Sequence, residues 1–169
     1  MLRVLAISEL DERLGRYRLA QPKLEQQMLK SLRDYGQLSP VVVCQLDGQT
    51  VLVDGFKRLR AARTLKGHDG LVARFLETDE PGAKAAIFNL NRIAGRPVEL
   101  EEAWIIYALV IDDGLQQIEV AQMLGRHKSW INRQSRCQAT QLLARFTIDN
   151  EHVEPLEGDE DHSSKPQKP

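Results

Sequence analysis

The chain reads as an α+β protein: a small mixed sheet with helices, followed by an all-α helix-turn-helix module. Three observations predict it. Two β-branched runs, Val41 to Cys44 and Thr50 to Val53, flank Asp47-Gly48, a hairpin signal. Apolar residues recur at helical spacing over residues 24–35 and again over 100–111. Between them Gly95-Arg96-Pro97 breaks the chain, and no strand-like pattern comes after it. The expected division is therefore 1–95 for the sheet domain, 97–148 for the helical module and 149–169 for an acidic tail too poor in apolar residues to pack.

Each element has its own signal. Leu2 to Ile7 alternates as a short strand, and Ser8 to Ala20, charged and containing Gly15, reads as a loop. Pro22 suits the first turn of a helix that runs to Tyr35, with Leu24, Met28, Leu29, Leu32 and Tyr35 as its apolar stripe and Gly36 as its cap. After the hairpin, Asp54-Gly55 turns the chain into a helix over Phe56 to Lys66. Leu71 to Leu76 alternates as a further strand, and Asp79 with Pro81 opens a helix to about Arg92. Leu100, Ala103, Trp104, Tyr107, Ala108 and Ile111 mark a largely buried helix ended at Asp113-Gly114. Ile118 to Leu124 is a short helix stopped at Gly125, and His127 to about Phe146 can form one more.

Charge narrows the function. The net charge is −1, yet residues from Asp149 onward hold seven acids and two lysines, which leaves 21 basic against 17 acidic residues in the body. A mildly positive body suits a nucleic-acid or nucleotide partner. Cys44 and Cys137 have no partner spacing, so neither a disulfide framework nor a metal site is expected, and a reducing cytoplasm is the default compartment. No apolar run approaches 18 residues, so no membrane partner is expected. The four histidines are scattered and carry no catalytic expectation, and Cys44 reads as a small core hydrophobe.

Two stretches could carry chemistry. Residues 56–66 hold Lys57, Arg58, Arg60, Arg63 and Lys66 and no acid, directly after the Gly55 turn. A helix start of this kind is an anion site, because free N–H groups and the positive helix end face the turn. Lys57, Arg60 and Arg63 share one face and are expected in solvent. Arg58 shares a side with Ala61, Ala62 and Leu65, and needs either a phosphate or a carboxylate such as Asp54. The second stretch is Val120-Ala121 with Leu124-Gly125 and Ile131, the spacing of a helix-turn-helix. Its second helix would present Arg126, Lys128, Ser129, Asn132, Arg133 and Arg136 outward, the residue types that read bases and hold phosphates. The bland alternative for both is a solvated basic face. Trp104 reads as core, Trp130 as core in preference to a DNA-backbone contact, and Asp112-Asp113 as a helix end.

Gly36 to Val43 (GQLSPVVV), Val53 to Arg63 (VDGFKRLRAAR), Phe88 to Arg92 (FNLNR) and Leu100 to Ala103 (LEEA), followed by a helix-turn-helix, resemble the ParB partition-protein family in one order over roughly residues 2–137. The resemblance implies a ParB/sulfiredoxin-like N-terminal fold, a nucleotide pocket for CTP and Mg²⁺, and DNA as partner. Carried over by position, it implies nucleotide or phosphate contacts by Gly36, Gln37, Pro40, Gly55, Arg58, Arg60, Ala61, Asn89 and Arg92. Phe56 and Phe88 stand where the family has acids, and phenylalanine offers neither a base nor an oxygen ligand. The expectation is thus a DNA-binding, nucleoid-associated protein of partition or regulation, with a phosphate cradle but without Mg²⁺-dependent hydrolysis or assigned catalytic residues. The other readings are a CTP-hydrolysing DNA-clamp switch enzyme and a truncated member acting through a full-length partner. A homodimer is the expected assembly where no such partner serves.

Overall fold

The computed structural model describes residues 2–94 and 98–135. Five strands form one sheet: β1 (Leu2–Ala6), β2 (Leu10–Asp11), β3 (Val41–Leu46), β4 (Gln49–Asp54) and β5 (Gly70–Phe75), in the order β1-β5-β3-β4-β2. β1 pairs antiparallel with β5, and β3 antiparallel with β4. β3 with β5, and β2 with β4, run parallel, so the sheet is mixed as expected. Val41 to Cys44 and Val51 to Val53 are all buried, so both faces of the central strands are covered. That is why these strands read as unbroken apolar runs rather than alternating ones.

The helices obey their local signals. α1 (Pro22–Tyr35) starts with Pro at its first turn and ends at Gly36, whose N–H donates to the Leu32 carbonyl at 3.0 Å. α2 (Phe56–Thr64) begins after Gly55 and ends two residues short of Lys66. α3 (Glu80–Ile93) is capped by the Asp79 carboxylate, which accepts from the Gly82 N–H at 2.9 Å. α4 (Glu99–Tyr107) runs on into a wider π-helical turn, Ala108–Asp112. α5 (Gln117–Met123) and a last helix, α6 (residues 128–135), close the described chain. α1 packs on α2, and α3 packs on β4 and α4.

Three expectations fail locally. Ser8 to Ala20 is not a bare loop: it holds 3₁₀ turns at Ile7–Glu9 and Arg13–Tyr17 around β2. Leu10, Leu14 and Tyr17 are buried there, an apolar set hidden among charged neighbours. Tyr35, expected on the apolar stripe of α1, is 73% exposed at the helix end. Ile111, expected on the buried face after α4, is 58% exposed. The π turn is the reason: it takes up an extra residue and rotates the residues beyond it off the phase set by Ala103, Ile105 and Ile106.

One cluster of buried side chains runs from Leu10 through β3, β4 and α3 to Ile105, Leu109, Val120, Leu124 and Ile131. Residues on both sides of positions 95–97 therefore share a core. No helix among the described residues is long and apolar enough to cross a membrane.

Candidate functional site

The β4–α2 turn is built as its residues demand. Gly55 sits at φ +105°, and a Cβ there would lie 2.5 Å from Val41 Cγ1, so both conformation and space require glycine. The turn opens into a cleft of about 340 Å³, whose walls include Gly55, Lys57, Arg58, Arg60, Arg18 and Asn91. Arg58 also borders a smaller recess of about 150 Å³ with Gly36 and Gln37.

Most of the cations are already matched. Arg60 Nη1 lies 2.7 Å from Glu25 Oε1 on α1. Arg18 Nη1 lies 2.7 Å from Glu101 Oε2, while Glu101 Oε1 accepts from the Leu19 N–H at 2.7 Å. Lys57 Nζ donates to Gln21 Oε1 at 2.6 Å, and Arg63 pairs with Glu12. The expected solvated face therefore holds only for Arg63, since Lys57 and Arg60 are half-buried against α1 and the segment leading into it. Arg58, like Lys57, has a neutral acceptor: its Nη1 donates to the Pro40 carbonyl at 3.0 Å. Burial pulls its pKa below the ordinary arginine value, and the nearby Asp54 charge pushes it back up. Arg58 is thus a half-buried cleft cation whose hydrogen-bond acceptor is neutral and whose charge feels that of Asp54.

The residues carried over from the resemblance divide by place. Gly55, Arg58 and Arg60 line the cleft, Gly36 and Gln37 line the smaller recess that Arg58 also borders, and Pro40 meets Arg58 through its carbonyl. Gln37, however, is occupied: its amide donates to the Val72 carbonyl at 2.8 Å and accepts from the Val72 N–H at 2.7 Å, filling a gap in the ladder beside β5. Ala61 is buried under α2 and serves packing. Asn89 and Arg92 are not among the residues lining the cleft. Asn89 Nδ2 donates to the Met123 carbonyl at 3.3 Å, and Arg92 Nε lies 3.8 Å from Glu102 Oε1. Helix phase explains the difference: Asn91 is about 200° around α3 from Asn89 and faces the cleft in its place.

Neither phenylalanine side chain has a polar group to offer a ligand's phosphates. Phe56 is buried, and its ring lies where a Cβ at Gly15 would crowd it at 3.2 Å. Phe88 is buried and meets Trp130 edge-on, with ring centroids 6.1 Å apart at 70°. Among the described residues no cluster of His, Cys, Asp or Glu could hold a metal ion.

α5 and α6 are joined by a tight turn in which Gly125 takes φ +60° and the Arg126 N–H donates to the Ala121 carbonyl at 2.8 Å. Val120, Ala121, Leu124 and Ile131 are buried, as their spacing predicted. Lys128, Ser129 and Arg133 are exposed and Asn132 is half-buried. Ser129 Oγ lies 2.7 Å from His127 Nδ1, a local cap that spacing did not reveal. Arg126 departs from expectation: its guanidinium lies over the Trp130 ring at 4.7 Å, and its Nε is buried without a hydrogen-bond partner. It turns inward instead of outward, because Trp130, half-buried rather than fully core, offers it a π face. Arg136 and Cys137 lie outside the described residues.

Two buried charges were not legible as site-forming residues. Glu101 is 2% exposed and ties the loop bearing Arg18 to α4. Lys84, also 2% exposed, is held by Asp113 at 2.7 Å and Glu80 at 3.2 Å.

Comparison with known proteins supplies the context. No family model matches the chain. A nucleoid occlusion protein of Halalkalibacterium halodurans is 32% identical over 113 residues, which cover 66% of this chain and 39% of that protein. The chain thus spans well under half the length of this curated relative. Among solved structures, the C-terminally truncated chromosome-partitioning protein ParB from Caulobacter crescentus, complexed to the centromeric parS site, superposes with a TM-score of 0.51 at 22% identity, over 79% of this chain and 70% of that one. A pNOB8-like ParB N-domain gives 0.53 at 20% identity, over 73% and 47%. The chain therefore has the ParB/sulfiredoxin-like fold, a mixed sheet with helices.

Proposed function

We propose that this chain is a DNA-binding protein of the ParB type, acting in DNA partition or regulation. The observation that carries the reading is the exposed face of α6: Lys128, Ser129 and Arg133 stand in solvent around a helix anchored by the buried Ile131 and entered through the Gly125 turn. Backbone phosphates would take Lys128 and Ser129, and Arg133 with Asn132 would reach base edges. The similarity to a nucleoid occlusion protein and to a partition protein complexed with its centromeric site supports the same direction.

In this reading the Gly55 cleft is a phosphate site, with CTP as the nucleotide. Gly55, Arg58 and the N-terminal N–H groups of α2 would hold phosphate oxygens, and Asn91 replaces Asn89 as the polar residue from α3. Arg60 and Arg18 would have to exchange Glu25 and Glu101 for the ligand. The burial of Phe56 and Phe88 implies binding without Mg²⁺ and without hydrolysis.

Anisotropy titration with a mixed-sequence duplex at several salt concentrations tests the DNA part. A linear fall of log K with log salt is expected, its slope reduced by about one unit in Lys128→Ala. Affinity indifferent to salt overturns it. Calorimetry with CTP, with and without Mg²⁺, tests the nucleotide part: heat of binding should be present in both and absent in Arg58→Ala. No heat in either removes CTP and leaves the DNA reading standing.

A further inference from the structure

We propose that the Gly55 cleft reads a single phosphate group, so that a nucleoside monophosphate binds it as tightly as a nucleoside triphosphate; this deepens the nucleotide reading above and rests on it. The seat for that phosphate is at the turn. A Cβ on Gly55 would lie 3.2 Å from Arg58 Nη1, so the guanidinium stands beside the glycine. The Leu59 N–H donates to the Gly55 carbonyl at 2.9 Å, which leaves the N–H groups of Phe56, Lys57 and Arg58 ahead of that bond, at the positive end of α2. Arg58 and Lys57 both donate to neutral acceptors, the Pro40 carbonyl and the Gln21 side-chain oxygen. Two cations and a helix start suit the roughly two negative charges of one phosphate monoester.

The other two arginines of the cleft wall already hold anions. Arg60 is paired with Glu25 and Arg18 with Glu101, each at 2.7 Å. A second or third phosphate has to take an arginine from its carboxylate, which replaces one anion by another and gains little. The Glu101 exchange is the costlier one, because that side chain is 3% exposed and would stay buried without its charge partner. Glu25 is 28% exposed and would be left beside the incoming charge. Asp54, on the cleft wall, adds a third carboxylate. Four cations thus face three carboxylates before any ligand arrives, which leaves little positive charge beyond what the first phosphate takes up. Among the described residues no cluster of His, Cys, Asp or Glu could hold a metal ion to offset the rest. The further phosphates of a triphosphate therefore stay in solvent. Leu19, Leu24, Met28 and Leu90, also on the cleft wall, offer apolar surface to the nucleoside, which is the same for every phosphate chain length.

Isothermal titration of the full chain with CMP, CDP and CTP, in EDTA and again with Mg²⁺, tests this. The three affinities should agree within about threefold in both conditions, less than one charge-assisted hydrogen bond is worth. Glu25→Gln keeps the shape and frees Arg60, which gives a second phosphate a partner of its own. CDP and CTP should then bind about tenfold tighter than CMP. Adding Arg60→Gln to Glu25→Gln should return the three affinities to parity. CTP tighter than CMP by about tenfold or more in the wild type, with or without Mg²⁺, overturns the proposal, and so does parity kept in Glu25→Gln. No heat with any of the three nucleotides in either protein overturns instead the nucleotide reading on which it rests.

Discussion

Lys84 shows how much a single residue can decide here. It is enclosed between α3, the end of the π turn and the Tyr17 ring, 6.0 Å from its Nζ. Burial alone would lower its pKa; the hydrogen bonds to Asp113 and Glu80, with the Asp113 charge, more than reverse that, and the value is raised. A raised folded-state pKa means the stabilisation is fully present below the ordinary lysine value and is lost as pH rises through the higher folded one. Lys84→Met should therefore lower stability by about 3 kcal/mol at neutral pH, since Asp113 is left largely buried and unpaired. Urea midpoints measured from neutral to strongly alkaline pH should converge for the two proteins. Phe88 makes a second case. Restoring an acid with Phe88→Glu would place a charge against Trp130 in the core, so the expected outcome is a cooperative loss of stability and no Mg²⁺ heat in calorimetry. None of this was readable at the residue level. A lysine and a glutamate in amphipathic helices read as surface, and it is contacts from distant segments, Tyr17 and Asp113 around Lys84 and Arg18 and Leu19 around Glu101, that make them interior.

At the scale of elements, the local signals were strong and the outcomes close. Pro22, Gly36, Asp47-Gly48, Asp79 and Gly125 each punctuate the chain where their chemistry predicts, because caps and turns are settled by neighbours a few residues away. Leu10, Leu14 and Tyr17 do stand at helical i, i+4, i+7 spacing, but the charged residues between them and Gly15 favour a loop reading of the segment that holds the 3₁₀ turn at Arg13–Tyr17. The cleft was half legible for a related reason. The turn at Gly55 is local, whereas the partners of Arg18 and Arg60 come from α4 and α1, at distances along the chain that no spacing encodes. The turn itself yields a prediction: Gly55→Ala should cost about 2 kcal/mol, by positive φ and by collision with Val41, and should do so in thermal unfolding without any ligand present. A variant as stable as wild type would show that the strand–helix junction can shift to make room.

Across the whole molecule, the shared core is the fact that sequence punctuation obscured. Gly95-Arg96-Pro97 suggested two units, yet Phe88, Ile106, Leu124 and Ile131 belong to one buried cluster with the sheet. Charges show the same pattern: Arg18 with Glu101, Arg92 near Glu102 and Lys84 with Asp113 all cross from the sheet half to the helical half. The orientation of the helical half is set at the π turn over Ala108–Asp112. That turn acts as a phase adjuster on a shaft. One residue beyond the α-helical count turns everything downstream by about 100°. Deleting Val110 would give a smoother helix and a worse protein: Asp113 would swing away from Lys84, and the Lys128–Arg133 face would be aimed elsewhere on the molecule. Such a deletion should keep helix content by circular dichroism while losing both thermal stability and DNA affinity, whereas a substitution at the exposed Ile111 should cost neither. The aim of the basic helix would then depend on the count of residues between the sheet and that helix as well as on their kind.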